Sequence, residues 1–264
     1  MQLAIFKIIV SFLLAIALTW LAEKKSLHWA GILSSFPNVS LFTMIFLFIE
    51  QGATFTIKSS LYGVYGVMSN IILVSIVMLA TFYTSSVWIA FLLGILSYFM
   101  TGFLVVEYFP KNIYFPMMLS FLVWFSCLFI WRKIPQIKIH KAVESKKYLF
   151  LLQFGIILFF ILFATYIAPF VKESWAGVIS AYASLTTSIG IIILAKYGGE
   201  ELRTFFKSAI LGWLPTAIYL FSLSFTYEKY GLLSGTLISV VIAAFIVVIL
   251  KNVQKNGLIK RLNY

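Results

Sequence analysis

Apolar residues run almost without interruption along this chain, and short polar breaks divide them into nine stretches: 2–21, 29–49, 59–82, 86–106, 112–131, 148–170, 175–195, 205–226 and 231–250. A hydrocarbon core of about 30 Å takes about 20 such residues as a helix, so each stretch predicts one membrane crossing. A barrel strand would alternate apolar and polar positions over about ten residues, and these runs do not. The predicted fold is therefore all-α, a polytopic membrane protein with nine transmembrane helices. The first stretch has the length of a secretory signal. Lys24 and Lys25 follow it, however, and no small-x-small cleavage site precedes them, so it reads as a retained helix.

Composition agrees. Hydrophobic residues fill 62% of the 264 positions and charged residues 11%, mean hydropathy is +1.03, and no soluble globular domain has that balance. A net charge of +12 would suggest nucleic acid as the partner of a soluble chain. Here the charges sit between apolar runs and report topology instead, so no nucleic acid is expected. Counting loops alternately puts Lys7, Lys58, Lys111, Lys172 and Lys229 on one side and fifteen basic residues on the other, Lys24, Lys25, Arg132, Lys133, Arg203 and Lys207 among them. Cytoplasmic loops retain Lys and Arg, so the N-terminus is predicted outside and the C-terminus inside. Cys127 is the single cysteine and lies in an apolar run, which leaves neither a disulfide framework nor a thiolate metal site.

The polar interruptions repeat. "WAGILSSFPNVS" at 29–40 and "WAGVISAYASLT" at 175–186 lie 146 positions apart. The same offset, without a gap, pairs Ser34 with Ser180, Ile45 with Ile191, Gly52 with Gly198 and Gly66 with Gly212, and it overlays spans one to four on spans six to nine. Chance identity between apolar sequences is common for Leu and Ile but rare for a Trp-Ala-Gly triplet with two in-register glycines. The expectation is a duplication: residues 1–107 a first four-helix repeat, 108–147 a connecting transmembrane helix with a basic cytoplasmic linker, and 148–264 a second four-helix repeat with a basic tail. Two four-helix units fused directly would be parallel. The extra span at 112–131 starts the second unit from the opposite side, so the repeats are predicted to be inverted. Inverted repeats can exchange conformations and turn a midplane site from one side to the other. Duplication that only stabilises a bundle is the alternative.

The second span of each repeat carries the polar groups. Pro37 removes an N–H and frees a carbonyl near Leu33, with Ser34, Ser35, Asn38 and Ser40 around it. In the second copy Ala183 takes the proline's place, while Ser180, Tyr182, Ser184, Thr186 and Thr187 keep the helix polar. Breaks in hydrocarbon are tolerated only against protein or a water-lined cavity. These residues, with Asn70 and Thr216 from the third spans, are therefore the candidate substrate pathway. The competing account is close helix packing through Ala30, Gly31 and Ser34, with hydroxyls bonding their own backbone. Coupling chemistry is thin. The chain has no Asp, and Glu50, Glu107, Glu173 and Glu228 fall at outer span ends, where a solvated carboxylate is ordinary. Glu50 and Glu107 are the candidate coupling or gate residues, and Lys7 is expected to snorkel outward without a partner.

No aspartyl pair for intramembrane proteolysis, His-Glu-x-x-His helix, Gly-x-Ser-x-Gly elbow or phosphate-binding glycine loop occurs. Neither enzymatic activity nor a cofactor is expected. His28 and His140, assigned to cytoplasmic loops, lack metal-ligand spacing, so no metal is expected either. The glycines of "YGGE" read as a turn before a helix. The linker at 132–147 alternates apolar and basic residues and is expected on the inner leaflet, attracted by anionic lipid at about 1 kcal/mol per basic residue.

Ala30, Gly31, Phe36 and Pro37 in "AGILSSFPNVSL", with the second-copy run "GGEELRTFFKSAILGWLPTAIYL", resemble the GlpM family of small four-helix bacterial inner-membrane proteins. The resemblance covers spans two and three of each repeat, and the other spans only in hydropathy. It implies a bacterial inner-membrane location and an association with glycerol-phosphate metabolism or exopolysaccharide production. A family member has one repeat, so this chain resembles two units fused through a connecting helix. The missing second proline sets its two sites apart. By analogy, small multidrug transporters also pair four-helix units antiparallel, but they use a carboxylate in the first helix, where this chain offers only Lys7 and Gln153. The expectation is a secondary transporter or flippase that moves a small polar or lipid-linked substrate between spans two and seven. Its expected partners are membrane lipids, that substrate and, in a homodimer, a second copy. The alternative is a non-transporting scaffold subunit of an envelope polysaccharide or lipid synthesis complex.

Overall fold

A computed structural model describes residues 5–10, 12–13, 16, 27–110, 112–135 and 147–255. All regular structure among them is helical. Helical residues at 5–10, 12–13 and 16 precede α1 (Leu27–Ser35), α2 (Asn38–Gln51), α3 (Ala53–Ala80), α4 (Val87–Tyr108) and α5 (Phe115–Ile130), which ends in a 3₁₀ turn, Trp131–Lys133. Then come α6 (Lys147–Ile167), a second 3₁₀ turn (Ala168–Phe170), α7 (Glu173–Ser180), α8 (Ser184–Lys196) and α9 (Gly199–Lys255).

Among the described residues, six helical stretches are long and apolar enough to cross a membrane: Gly31–Gln51, Ala53–Ala80, Val87–Tyr108, Phe115–Lys133, Glu173–Lys196 and Gly199–Leu250. Phe154–Phe170 is a shorter apolar helix. The predicted span 2–21 lies partly outside the described residues. Spans 205–226 and 231–250 fall in one stretch, α9, whose backbone leaves the helical region only at Gly231 (φ 69°, ψ −168°). α3 starts at Ala53 instead of 59 because Gly52 alone turns α2 into α3, with φ 85°. A side chain would strain that conformation. Gly198, 146 positions on, has φ 107° and turns α8 into α9 in the same way. His28 belongs to α1 and not to a loop.

α3 is buried along most of its length, and Ser59, Ser60, Gly63, Gly66 and Ser69 on it let neighbouring helices approach closely. α4, α5 and the arm of α9 beyond Gly231 turn Leu92, Leu96, Phe121, Phe125, Leu237 and Phe245 outward. Such an exterior suits lipid and not water. α5 ties the halves together. The Ser120 hydroxyl donates to the Val64 carbonyl on α3 (3.0 Å), and Trp124 Nε1 donates to the Ile210 carbonyl on α9 (2.8 Å). Val64 and Ile210 are themselves 146 positions apart, so successive turns of α5 meet matching positions on the two long helices. At the far end of α5, Lys207 Nζ donates to the carbonyls of Arg132 (2.9 Å) and Ile134 (2.7 Å), which fixes where the basic linker begins. Residues 136–146 of that linker lie outside the described residues.

Candidate functional site

Two helices are split, α1 from α2 and α7 from α8. Pro37 (φ −68°, ψ 47°) and Ala183 (φ −77°, ψ 57°) share one backbone conformation, close to an inverse γ-turn. Each turn is closed in the same way, by Asn38 N–H donating to Phe36 O (2.6 Å) and Ser184 N–H to Tyr182 O (2.8 Å). Proline announces the first break, and the carbonyl it frees at Leu33 accepts from Asn38 Nδ2 at 2.8 Å. The second break has no proline, and local sequence does not account for it.

The second break is explained by a residue of α3. Asn70 Nδ2 donates to Ala181 O (2.7 Å) and Asn70 Oδ1 accepts from Ala183 N–H (3.0 Å), so one carboxamide supplies both groups that the γ-turn leaves over. At the first break the matching residue, Thr216 on α9, donates to Ser35 O (2.5 Å). Pro37 has no N–H, so a donor alone is enough there. Two of the differences between positions 146 apart, Pro37 against Ala183 and Asn70 against Thr216, therefore compensate each other: where the turn keeps an N–H, the cap carries an acceptor for it.

Close backbone approaches repeat the pattern. A Cβ on Gly31 would meet the Phe205 carbonyl oxygen, and one on Gly177 the Ser59 carbonyl oxygen; a Cβ on Gly66 would meet Val178 O and one on Gly212 Ile32 O. Adding 146 to each residue of the first half in these pairs gives its counterpart in the second. Each short helix thus lies against the long helix of the other half, α1 on α9 and α7 on α3.

Between the breaks lies a cavity of about 20 Å³, lined by Ser34, Ser35, Ser40, Tyr182, Ser184 and Thr216, with Phe36, Ala181 and Trp213 among the remaining walls. That volume holds about one water molecule. No Lys, Arg, His, Asp or Glu lines it. Ser184 Oγ is fully buried and makes no hydrogen bond among the described residues, so it is the group such a water would serve. The other predicted pathway residues lie around the lining. Thr186 Oγ1 crosses from α8 to Ser34 O (3.1 Å) and lies 3.3 Å from Ser34 Oγ, while Pro37, Ser180 and Thr187 are buried and Asn38 half-buried. Ser34 and Ser35 donate back to Gly31 O (both 2.9 Å), and Ser180 to Gly177 O (2.8 Å). The hydroxyl density is thus partly local backbone bonding. Tyr182 is clamped by rings, stacked on Phe160 at 4.0 Å and edge-on to Tyr98 at 5.0 Å, and the Tyr98 hydroxyl donates to Val178 O.

The charged groups at the helix ends depart from expectation. Lys7 does not snorkel to water: its Nζ lies 2.7 Å from Glu50 Oε1 and donates to Thr165 Oγ1, also at 2.7 Å. A charge near hydrocarbon is costly to leave alone, and these two meet because the N-terminal helix, α2 and α6 come together there. Glu50 stands at the open end of α2, yet its side chain is only 24% exposed because it turns onto Lys7. Glu107 is exposed, away from the breaks, and shares a 380 Å³ recess with Lys58, Lys172 and Glu173. Lys58 pairs with Glu173 at 3.2 Å. Neither carboxylate touches the central cavity. Among the described residues, no three His, Cys, Asp or Glu side chains gather as a metal site would require.

The sequence reading missed Trp124, Ser120 and the walls Phe36 and Trp213. The offset gave no signal for the first two, because they lie in the span between the predicted repeats and bond backbone carbonyls, which leave no mark on residue identity. No protein-family model, curated protein or solved structure matches the chain.

Proposed function

We propose that the chain is a secondary transporter or flippase of the bacterial inner membrane, N-terminus outside and C-terminus cytoplasmic. In this reading it consists of two inverted four-helix repeats that span the membrane nine times in all, and the paired helix breaks are the element that moves. The observation that carries the reading is the reciprocal capping, Asn70 on the break at Ala183 and Thr216 on the break at Pro37. Direction supports it as well. Residues 31, 32 and 35 of α1 meet 205, 212 and 216 of α9 in ascending order, and residues 177, 178 and 181 meet 59, 66 and 70 of α3 likewise. α1 is therefore parallel to α9, and α7 to α3. Since α2 and α3 are successive crossings joined at Gly52, α1 and α7 point in opposite directions, as inversion requires.

Broken helices facing each other across a two-fold relation are how such folds build a site that alternates between the two sides. The described conformation is the closed one, with space for a water and nothing larger. Hydroxyls and carbonyls line it without a formal charge, which suits a neutral polar group or the uncharged part of a lipid-linked substrate. Glu50 and Glu107, both away from the cavity, are proposed as outer gate residues and not as substrate ligands. The GlpM-like segments are those that build the breaks and their caps. The second reading, a non-enzymatic scaffold subunit, draws on the self-bonding of Ser34, Ser35 and Ser180.

The test uses a Cys127→Ser background with single cysteines at Ser34 and Ser184, probed in oriented vesicles by a membrane-impermeant thiol reagent from each side. Ser85 and Asn112, both exposed between helices, serve as loop controls. Labelling of either cavity position from one side, shifting when a substrate is added, is the expected result. If the loop controls react and neither cavity position does from either side, the transport reading is refuted and the scaffold reading takes its place.

A further inference from the structure

A second cavity, far roomier than the one between the breaks, opens on the side of the bundle. It is a lateral groove of about 800 Å³ where the N-terminal helix, the end of α2 and the end of α6 meet. Its head is polar, with Lys7, Glu50, Gln51 and Thr165. Its wall is an aromatic stripe, Phe159, Phe163, Tyr166 and Phe170, in which the Phe159 and Phe163 rings stack at 5.5 Å. Tyr166 is 74% and Phe170 76% exposed. From Phe170 back to Phe159 the stripe descends roughly 16 Å at 1.5 Å per residue. That is about one leaflet of a 30 Å core. Thr165 places the polar head partway along the stripe: Tyr166 and Phe170 flank it on the side where α2 and α6 end, and Phe159 and Phe163 continue below it, Phe159 by about 9 Å, as the wall for an acyl chain.

We infer that this groove is a binding site for a zwitterionic phospholipid bearing a primary ammonium, an ethanolamine-type headgroup, and the argument does not depend on the breaks being a transport site. Lys7 and Glu50 hold each other at 2.7 Å, a net-neutral pair that offers one positive and one negative group to an incoming ligand. The phosphate accepts from Lys7 Nζ, which the Thr165 hydroxyl, itself donating to the Ile161 carbonyl at 2.9 Å, holds in place as an acceptor, while the ammonium donates to the Glu50 carboxylate and the Gln51 side-chain oxygen. The opposite charges of this headgroup thus replace those of the resting pair. A purely anionic headgroup leaves Glu50 against like charge, and a quaternary ammonium has no N–H to donate. The stripe demands a lipid and not a soluble phosphoester, because its exposed rings gain only from an acyl chain.

The experiment is native mass spectrometry of the full-length protein in detergent, with equal concentrations of phosphatidylethanolamine, phosphatidylglycerol and phosphatidylcholine carrying the same acyl chains. Wild type is expected to retain the ethanolamine lipid about tenfold over the other two, a difference of about 1.4 kcal/mol. E50Q, which keeps the shape of the site and so guards against a misfolded variant, is expected to lose that preference while still binding lipid. F163A is expected to weaken all three lipids alike. Equal retention of the three lipids by wild type, an unchanged preference in E50Q, or displacement of the lipid by an equal concentration of glycerophosphoethanolamine would each overturn the inference.

Discussion

The compensation between turn and cap can be tested as a thermodynamic cycle. Asn70→Thr makes the second cap chemically like the first. The hydroxyl still reaches Ala181 O, as Thr216 reaches Ser35 O, but the Ala183 N–H loses the acceptor it now has at 3.0 Å. An unsatisfied buried donor costs about 1–3 kcal/mol; Ala183 is half-buried, so a middle value of about 2 kcal/mol is appropriate. Ala183→Pro removes that N–H at a residue whose φ of −77° already suits proline. Alone it leaves Asn70 Oδ1 without its donor, a loss of about 1 kcal/mol, offset by a gain of about 0.4–1 kcal/mol from the stiffer unfolded chain. The double variant reproduces the Thr216–Pro37 arrangement, in which no group is left over. Its stability is expected close to wild type, with a coupling energy of about 2 kcal/mol between the two sites. For a chain of this size about 1 kcal/mol moves the Tm by about 2–4 °C. Tryptophan fluorescence on heating in detergent, with seven Trp residues as reporters, should thus show Asn70→Thr about 4–8 °C below wild type and the double variant within about 2 °C of it. Effects that add to within about 0.5 kcal/mol would refute the compensation.

Three further outcomes follow from contacts elsewhere. Gly177→Ala drives a methyl into the Ser59 carbonyl and should destabilise by about 1–3 kcal/mol, read as a Tm loss, and Gly31→Ala against Phe205 O should behave alike if the halves are equivalent. Lys7→Met strands Glu50 beside hydrocarbon and should cost about 1–3 kcal/mol, whereas Lys7→Met with Glu50→Leu should recover most of it; a double variant no better than the single would show that the pair is not what joins these helices. Trp124→Phe removes the donor to Ile210 O and should cost about 1 kcal/mol, checked against Ser120→Ala, which frees Val64 O in the other half.

Much of the site was legible in the sequence, because polar residues in an apolar run are rare enough to mark where a helix meets something other than lipid. Ser34, Ser35, Ser40, Tyr182, Ser184 and Thr216 were singled out on that ground, and all six line one cavity. The break at Pro37 was legible too, since proline carries its own steric consequence. The break at Ala183 was not, because alanine is an excellent helix former and the turn there exists only where Asn70, more than a hundred residues away, satisfies it. Lys7 was misread for a related reason. Near a helix end, a lone lysine and a lone glutamate each look solvated until the packing of three helices brings them within bonding distance.

By itself, then, the sequence determined that the chain is an apolar helical protein with one offset running through both halves, because hydropathy and composition act locally and an offset survives as residue identity. Tertiary structure decided which half-helix lies on which long helix, where the second break falls, which charges pair, and that the central cavity is closed to the size of a water. These follow from distances between residues far apart in the chain, where a single carbonyl or carboxamide decides whether a backbone group inside hydrocarbon is satisfied or left exposed.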